Sequence, residues 1–219
     1  MNSATEYLSL QGEAGPIQIA VDRPSRAEGS TARGVAVLAH PHPLFGGTMN
    51  NKVVTTLARA AIASHLMVVR LNFRGVGGSA GVFDDGRGET TDFLQVCHWA
   101  FTQTPGLRVL GGFSFGAAVA AKAQSLLLQE KQEQTDKNQS IDKLMLFGVA
   151  VSRFPVPDVP SHTLLVHGQK DDVVPLSSVQ QWANPQNLHV VVLPNANHFF
   201  DGHLSEVKQL AMDYLLSNE

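Results

Sequence analysis

The 219-residue chain predicts an α/β fold, a mostly parallel sheet of about eight strands with helices on both faces and no lid domain. Three observations carry this. Strand-like apolar runs alternate with stretches whose apolar residues recur at helical spacing, the pattern of a parallel sheet. The run Gly34-Val-Ala-Val-Leu-Ala39 is continuously apolar, as expected for a strand buried on both faces. And Gly112-Phe113-Ser114-Phe115-Gly116 places a serine at the apex of a strand, tight turn and helix.

Taken in order, Tyr7 to Gln11 and Ile17 to Val21 read as a hairpin around Gly12-Glu-Ala-Gly15. A polar loop from Asp22 to Arg33 leads into the strand Gly34 to Ala39. Val53, Val54, Leu57, Ala58 and Ala61 put a helix between Asn50 and Ser64, followed by a strand over Leu66 to Phe73. Asp84 to Glu89 reads as a polar loop before a helix marked by Phe93, Val96, Cys97 and Ala100. The strand Arg108 to Gly111 runs into the serine turn, and the small residues Ala117 to Ala121 open the next helix. Lys131 to Ser140 reads as a surface loop or frayed helix end. Leu144 to Val151, Thr163 to His167 and Leu188 to Leu193 complete the strands, with a short helix near Ser177 to Trp182. Leu204, Val207, Ala211 and Tyr214 give a C-terminal helix one apolar face. No repeat or linker divides the chain, so residues 1–219 read as one domain.

Composition narrows the function. Apolar residues make up 43% of the chain, enough for a substantial core, and a net charge of −3 offers nothing to attract nucleic acid. No apolar run approaches the roughly 18 residues that span a bilayer, and Met1-Asn-Ser-Ala-Thr-Glu6 lacks a basic-then-apolar leader. One cysteine, Cys97, excludes an internal disulfide framework and fits a reducing compartment. A cytoplasmic protein is expected.

The carboxyl ends of strands carry the working residues in α/β enzymes. Four places qualify: Ser114; the segment His167-Gly-Gln-Lys-Asp171-Asp172; the loop Asn195-Ala-Asn-His198; and His40-Pro41-His42-Pro43-Leu44. A serine hydroxyl needs a base to take its proton and a carboxylate to orient that base. Ser114, Asp171 and His198 stand in the chain order serine, acid, histidine that goes with such a turn. His198 is preferred over His162, His167 and His189, which fall within or beside strands, and over His203 at the C-terminal helix. Of the adjacent pair Asp171 and Asp172, only one can face the imidazole, and Asp171 is taken. A developing oxyanion needs backbone donors: the N–H of Phe115, and one from the loop after the third strand. Pro41 and Pro43 have no N–H, which leaves His42 or Leu44; His42 is favoured. The His40-x-His42 pair has no further ligand at metal spacing, and neither metal nor cofactor is expected. Gly75-x-Gly77-x-x-Ala80 imitates a dinucleotide fingerprint without a helix directly after it, and reads as a structural turn. Arg74 beside it is a candidate clamp for a substrate carboxylate.

On these residues the chain resembles the α/β-hydrolase superfamily, and within it the compact, lidless bacterial serine hydrolases of the dienelactone-hydrolase-like type. The carrying segments are His40 to Thr48, Asn72 to Ser79, Gly111 to Gly116, His167 to Asp171 and Asn197 to Phe200. The resemblance implies a serine, aspartate and histidine triad, no cofactor, and hydrolysis of esters or thioesters. It adds weight to Asp171, three residues after His167-Gly168. The dienelactone hydrolases proper carry a cysteine where this chain has Ser114, so ordinary ester hydrolysis is the expected chemistry, on a small-molecule ester or thioester. An acyltransferase or peptidase could use the same triad, a non-catalytic binding protein could keep the fold, and a nicotinamide oxidoreductase would rest on the glycine loop alone.

Overall fold

The computed structural model describes residues 5–25, 31–133 and 140–217. Residues 1–4 and parts of the polar stretches read at 22–33 and 131–140 therefore lie outside the described residues. Among those described, eight strands form one sheet: β1 (Glu6–Gly12), β2 (Gly15–Asp22), β3 (Gly34–Ala39), β4 (Met67–Leu71), β5 (Leu107–Phe113), β6 (Lys143–Phe147), β7 (Leu164–Gly168) and β8 (Val190–Leu193). Five helices accompany them: α1 (Lys52–Ala63), α2 (Arg87–Gln103), α3 (Phe115–Glu133), α4 (Leu176–Ala183) and α5 (Leu204–Leu216). The spatial order is β1-β2-β4-β3-β5-β6-β7-β8. β2 runs antiparallel to both neighbours, and β3 through β8 are parallel.

The pleat divides each inner strand between two cores. Val35, Val37 and Ala39 of β3 face α2 and α3, in a core that includes Phe93, Val96, Ala117, Ala121 and, from α4, Val179. Ala36 and Leu38 face α1, in a core that includes Val53, Leu57 and, from α5, Val207 and Ala211. Every residue of β3, β4 and β6 is buried, which explains the unbroken apolar run of β3; β4 and β6 each bury one cation as well, Arg70 and Lys143. Cys97 is a buried free thiol in the first of these cores.

After β3 the chain passes through α1 to β4 on one side of β3, then through α2 to β5 on the other. Such a reversal opens a crevice at the carboxyl ends of the two strands concerned, here β3 and β5. The residues after β3 begin with His40-Pro41-His42, and the residue after β5 is Ser114.

Two elements depart from the sequence reading. β6 ends at Phe147, not at Val151: Gly148 turns the chain with φ +54, and the Ala150 N–H reaches the Ser114 carbonyl at 3.4 Å. α2 begins at Arg87, inside the segment read as a loop, because the buried Glu89 carboxylate accepts the N–H groups of Asp84 and Gly86 at 2.9 Å each. Its charge looks like loop chemistry in one dimension and is a helix N-terminal cap in three.

Candidate active site

Ser114 sits between the end of β5 and the start of α3 with φ +57. A side chain in this left-handed region costs about 1–3 kcal/mol, so its surroundings must hold it there. Its N–H donates to the Phe147 carbonyl at 2.9 Å, and its carbonyl accepts from Ala117 at 3.1 Å and Ala118 at 3.3 Å. The two motif glycines are required by space. A Cβ on Gly112 would stand 2.3 Å from the Gly116 oxygen, and one on Gly116 would stand 2.4 Å from the His40 oxygen. Gly116 thereby lets the start of α3 press against the end of β3.

Ser114 Oγ lies 3.0 Å from His198 Nε2, and His198 Nδ1 lies 2.7 Å from Asp171 Oδ2. The three come from the turns after β5, β8 and β7, and all are buried. With Nδ1–H donating to the carboxylate, Nε2 presents its lone pair to the hydroxyl. The imidazole is tilted against Phe113 at 5.0 Å and edge-on to Phe199 at 5.2 Å. Asp171 Oδ1 accepts the N–H groups of Val173 at 2.9 Å and Val174 at 2.7 Å. Burial alone would push the Asp171 carboxyl up. The hydrogen bond from His198, the Val174 N–H and the two neighbouring imidazoles outweigh it and hold the pKa below the ordinary value. The carboxylate therefore stays ionised at neutral pH. Asp172 is exposed.

Of the two loop donors weighed from sequence, the Leu44 N–H is engaged by His42 Nδ1 at 3.2 Å. The N–H groups of His42 and Phe115 meet no acceptor among the described residues. The His42 ring lies among Phe45, Phe83, Phe115 and Phe154, with centroids 4.6 to 5.8 Å away. Burial and the Arg153 charge lower its pKa against the pull of Asp85. Sequence reasoning missed Phe83 and Phe154: they arrive from separate loops, and no spacing links them. Leu44, Phe45, Val82 and Phe199 are exposed large apolar side chains. Phe45 packs on the His42 ring and Phe199 on the His198 ring, so exposed apolar side chains stand beside the site.

The other candidates fall into place away from the reacting atoms. His40 donates from Nδ1 to the Pro41 carbonyl at 2.6 Å and accepts the Phe73 N–H on Nε2 at 3.0 Å, so both nitrogens are engaged by backbone. Arg74 grips Asp92 with Nε at 2.7 Å and Nη2 at 3.0 Å, which corrects its reading as a free carboxylate clamp. The Asn72–Ser79 stretch is a turn pinned to β2, with Asn72 Nδ2 on Gln18 Oε1 at 2.8 Å and Ser79 Oγ on the Asn72 carbonyl at 2.6 Å. His162 and His189 are exposed at the opposite, amino ends of β7 and β8. His203 precedes α5 and pairs with Glu206 at 3.2 Å.

Burial lowers the His40 pKa from its ordinary 6.5 to about 4, against the raising effect of the Pro41 carbonyl. The folded value lies below the unfolded one, so the unfolded chain takes this proton first. His40 is therefore expected to remove roughly 3 kcal/mol of stability as pH falls from about 6.5 to about 4. Urea unfolding at several pH values checks this. The slope across that window should be shallower in His40→Asn, and equal slopes would contradict it.

No family model matches the chain. It is 34% identical to an α/β serine hydrolase homologue from Coxiella burnetii, with 99% of this chain and all of the other covered at a TM-score of 0.78. It is 32% identical to a lidless α/β serine hydrolase from Xanthomonas campestris, covering 98% of this chain and 95% of that one at a TM-score of 0.84. An uncharacterised protein of Rickettsia prowazekii is 30% identical over 198 residues, which cover 84% of this chain and 79% of the other. The chain belongs to the α/β-hydrolase superfamily, among the lidless, dienelactone-hydrolase-like serine hydrolases. It is a hydrolase of that superfamily. No helix among the described residues is long and apolar enough to cross a membrane.

Proposed function

We propose that the protein is a single-domain serine hydrolase that cleaves carboxylic esters, and thioesters by the same route, with Ser114, His198 and Asp171 as its triad. The observation that carries this is the continuous line Asp171 Oδ2, His198 Nδ1, His198 Nε2, Ser114 Oγ at 2.7 and 3.0 Å. Ser114 Oγ attacks the carbonyl carbon as its proton passes to His198 Nε2. The oxyanion is received by the N–H groups of Phe115 and His42, both without an acceptor among the described residues. The His198 imidazolium returns the proton to the departing alcohol or thiol, leaving an acyl group on Ser114. Water, deprotonated by His198, then attacks the acyl carbon; the acyl–Oγ bond breaks, His198 returns the proton to Ser114 Oγ, and the acid is released. Asp171 holds the imidazole in its working tautomer and stabilises the imidazolium. The exposed Phe45 and Phe199 beside the site support small-molecule esters with apolar groups. The buried free thiol of Cys97 fits a cytoplasmic setting.

A series of p-nitrophenyl esters from acetate to palmitate, with acyl-CoA thioesters beside it, tests the reading. Turnover that follows acyl length supports it; no release from any member contradicts it. The oxyanion assignment has its own test. His42 has φ −51, which proline can adopt, so His42→Pro removes the N–H with little backbone change. It should lower kcat by about 100- to 1000-fold. His42→Ala keeps the N–H and should lose much less. Equal losses in the two variants would move the role from the N–H to the ring.

A further inference from the structure

One buried titratable side chain at the site has no part in these steps. His167, the penultimate residue of β7, is fully buried. Its Nε2 lies 2.9 Å from the Val174 carbonyl oxygen and 3.3 Å from Asp171 Oδ2. A carbonyl oxygen only accepts, so Nε2 carries the proton. Nδ1 then holds a lone pair, buried and without a hydrogen-bond partner among the described residues. A buried acceptor without a partner is unfavourable, and a phenylalanine would fill the same volume without one. What the imidazole contributes must therefore come through its Nε2–H.

That N–H meets the site at two points. It ties down the Val174 carbonyl, and the turn ending there supplies both backbone N–H groups to Asp171 Oδ1. It also approaches Asp171 Oδ2, the oxygen that accepts the His198 proton at 2.7 Å. His198 and His167 are the titratable groups that act on Asp171 among the described residues. His198 faces Ser114, Asp171, His167 and the rings of Phe113 and Phe199; the Lys52 ammonium lies beyond Phe199, paired with Asp201.

We infer that His167 is a positioning residue for the proposed hydrolysis: its neutral imidazole clamps the Asp171–Val174 turn through the Val174 carbonyl and sets its N–H dipole 3.3 Å from Asp171 Oδ2. The inference rests on the Ser114–His198–Asp171 reading. The Nε2–H beside that oxygen opposes its negative charge and so restrains how strongly Asp171 draws the His198 proton. Burial pushes the His167 pKa down, against the Val174 carbonyl and the Asp171 charge, which keeps the ring neutral.

The test compares pH profiles of kcat/KM for p-nitrophenyl acetate in wild type, His167→Phe and His167→Gln. The phenylalanine variant removes the donor and keeps the bulk. Its kcat should fall roughly 10- to 100-fold with KM little changed, the loss expected when a catalytic group is misplaced. Its acid limb should move up by about half a pH unit, because an Asp171 without that N–H dipole beside it holds the imidazolium more strongly. Glutamine keeps an N–H near the Nε2 position and should restore most of both. The downfield proton resonance of His198 Nδ1–H should shift in the phenylalanine variant and return in the glutamine one. An unshifted acid limb in His167→Phe overturns the inference, whether kcat is intact or lost equally in both variants. Should the phenylalanine variant not fold, His167→Asn, too short to reach Val174, is read by the same limb. Fluorophosphonate labelling of wild-type Ser114 separates the two claims. With labelling present, an unshifted limb removes only the role of His167; without labelling, both readings fall.

Discussion

Ser114→Ala is expected to lower turnover of the best ester by roughly 10⁶-fold, the scale seen when the nucleophile of such a unit is removed. The protein should remain folded. Ser114 contributes to the elbow mainly through its backbone, with its N–H on Phe147 and its carbonyl on Ala117 and Ala118, and alanine keeps all three bonds. The side chain at φ +57 is a strain, so Ser114→Gly should be equally inactive and gain about 1 kcal/mol in urea unfolding. Opposite movements of activity and stability at one residue mark a position shaped for chemistry. Activity within tenfold of wild type in either variant would contradict the assignment.

The second large effect separates two adjacent carboxylates. Asp171→Asn should lower kcat by about 10⁴-fold. An amide at this position presents an N–H to one of its neighbours. Val173 and Val174 both donate to Oδ1, so the amide nitrogen is driven to the Oδ2 side, where it faces His198 Nδ1. The imidazole must then put its proton on Nε2, against Ser114 Oγ, and the base is lost. Asp172 is exposed, and Asp172→Asn should leave kcat little changed. Steady-state kinetics of the two variants decide the matter, and the reverse ranking would refute the acid assignment.

Most of this architecture could be read from the residue order, and the exceptions have physical causes. β3 was legible residue for residue because burial on both faces leaves an unbroken apolar run. The serine turn was legible because its glycines are demanded by backbone contacts of 2.3 to 2.4 Å. The end of β6 was not, since Val149 and Ala150 are as buried in the turn as they would be in a strand. The start of α2 was not, since a buried carboxylate capping N–H groups has the composition of a loop. Arg74 was misread because its partner Asp92 lies on α2, and the pairing exists only once α2 packs beside the turn. His167 was recognisable as a buried histidine, but periodicity reports burial and not what a ring nitrogen touches. His42 was favoured over Leu44 from sequence, but that its own ring engages the Leu44 N–H had no signal in the residue order.

The central claim is that Ser114 Oγ is made nucleophilic by His198. Intact mass spectrometry after treatment with a fluorophosphonate tests it most directly, using wild type, Ser114→Ala and His198→Ala. The account predicts one adduct on wild type, mapped to Ser114, none on Ser114→Ala, and labelling slowed by orders of magnitude in His198→Ala. No adduct on wild type, or labelling of Ser114 at an undiminished rate without His198, would contradict it.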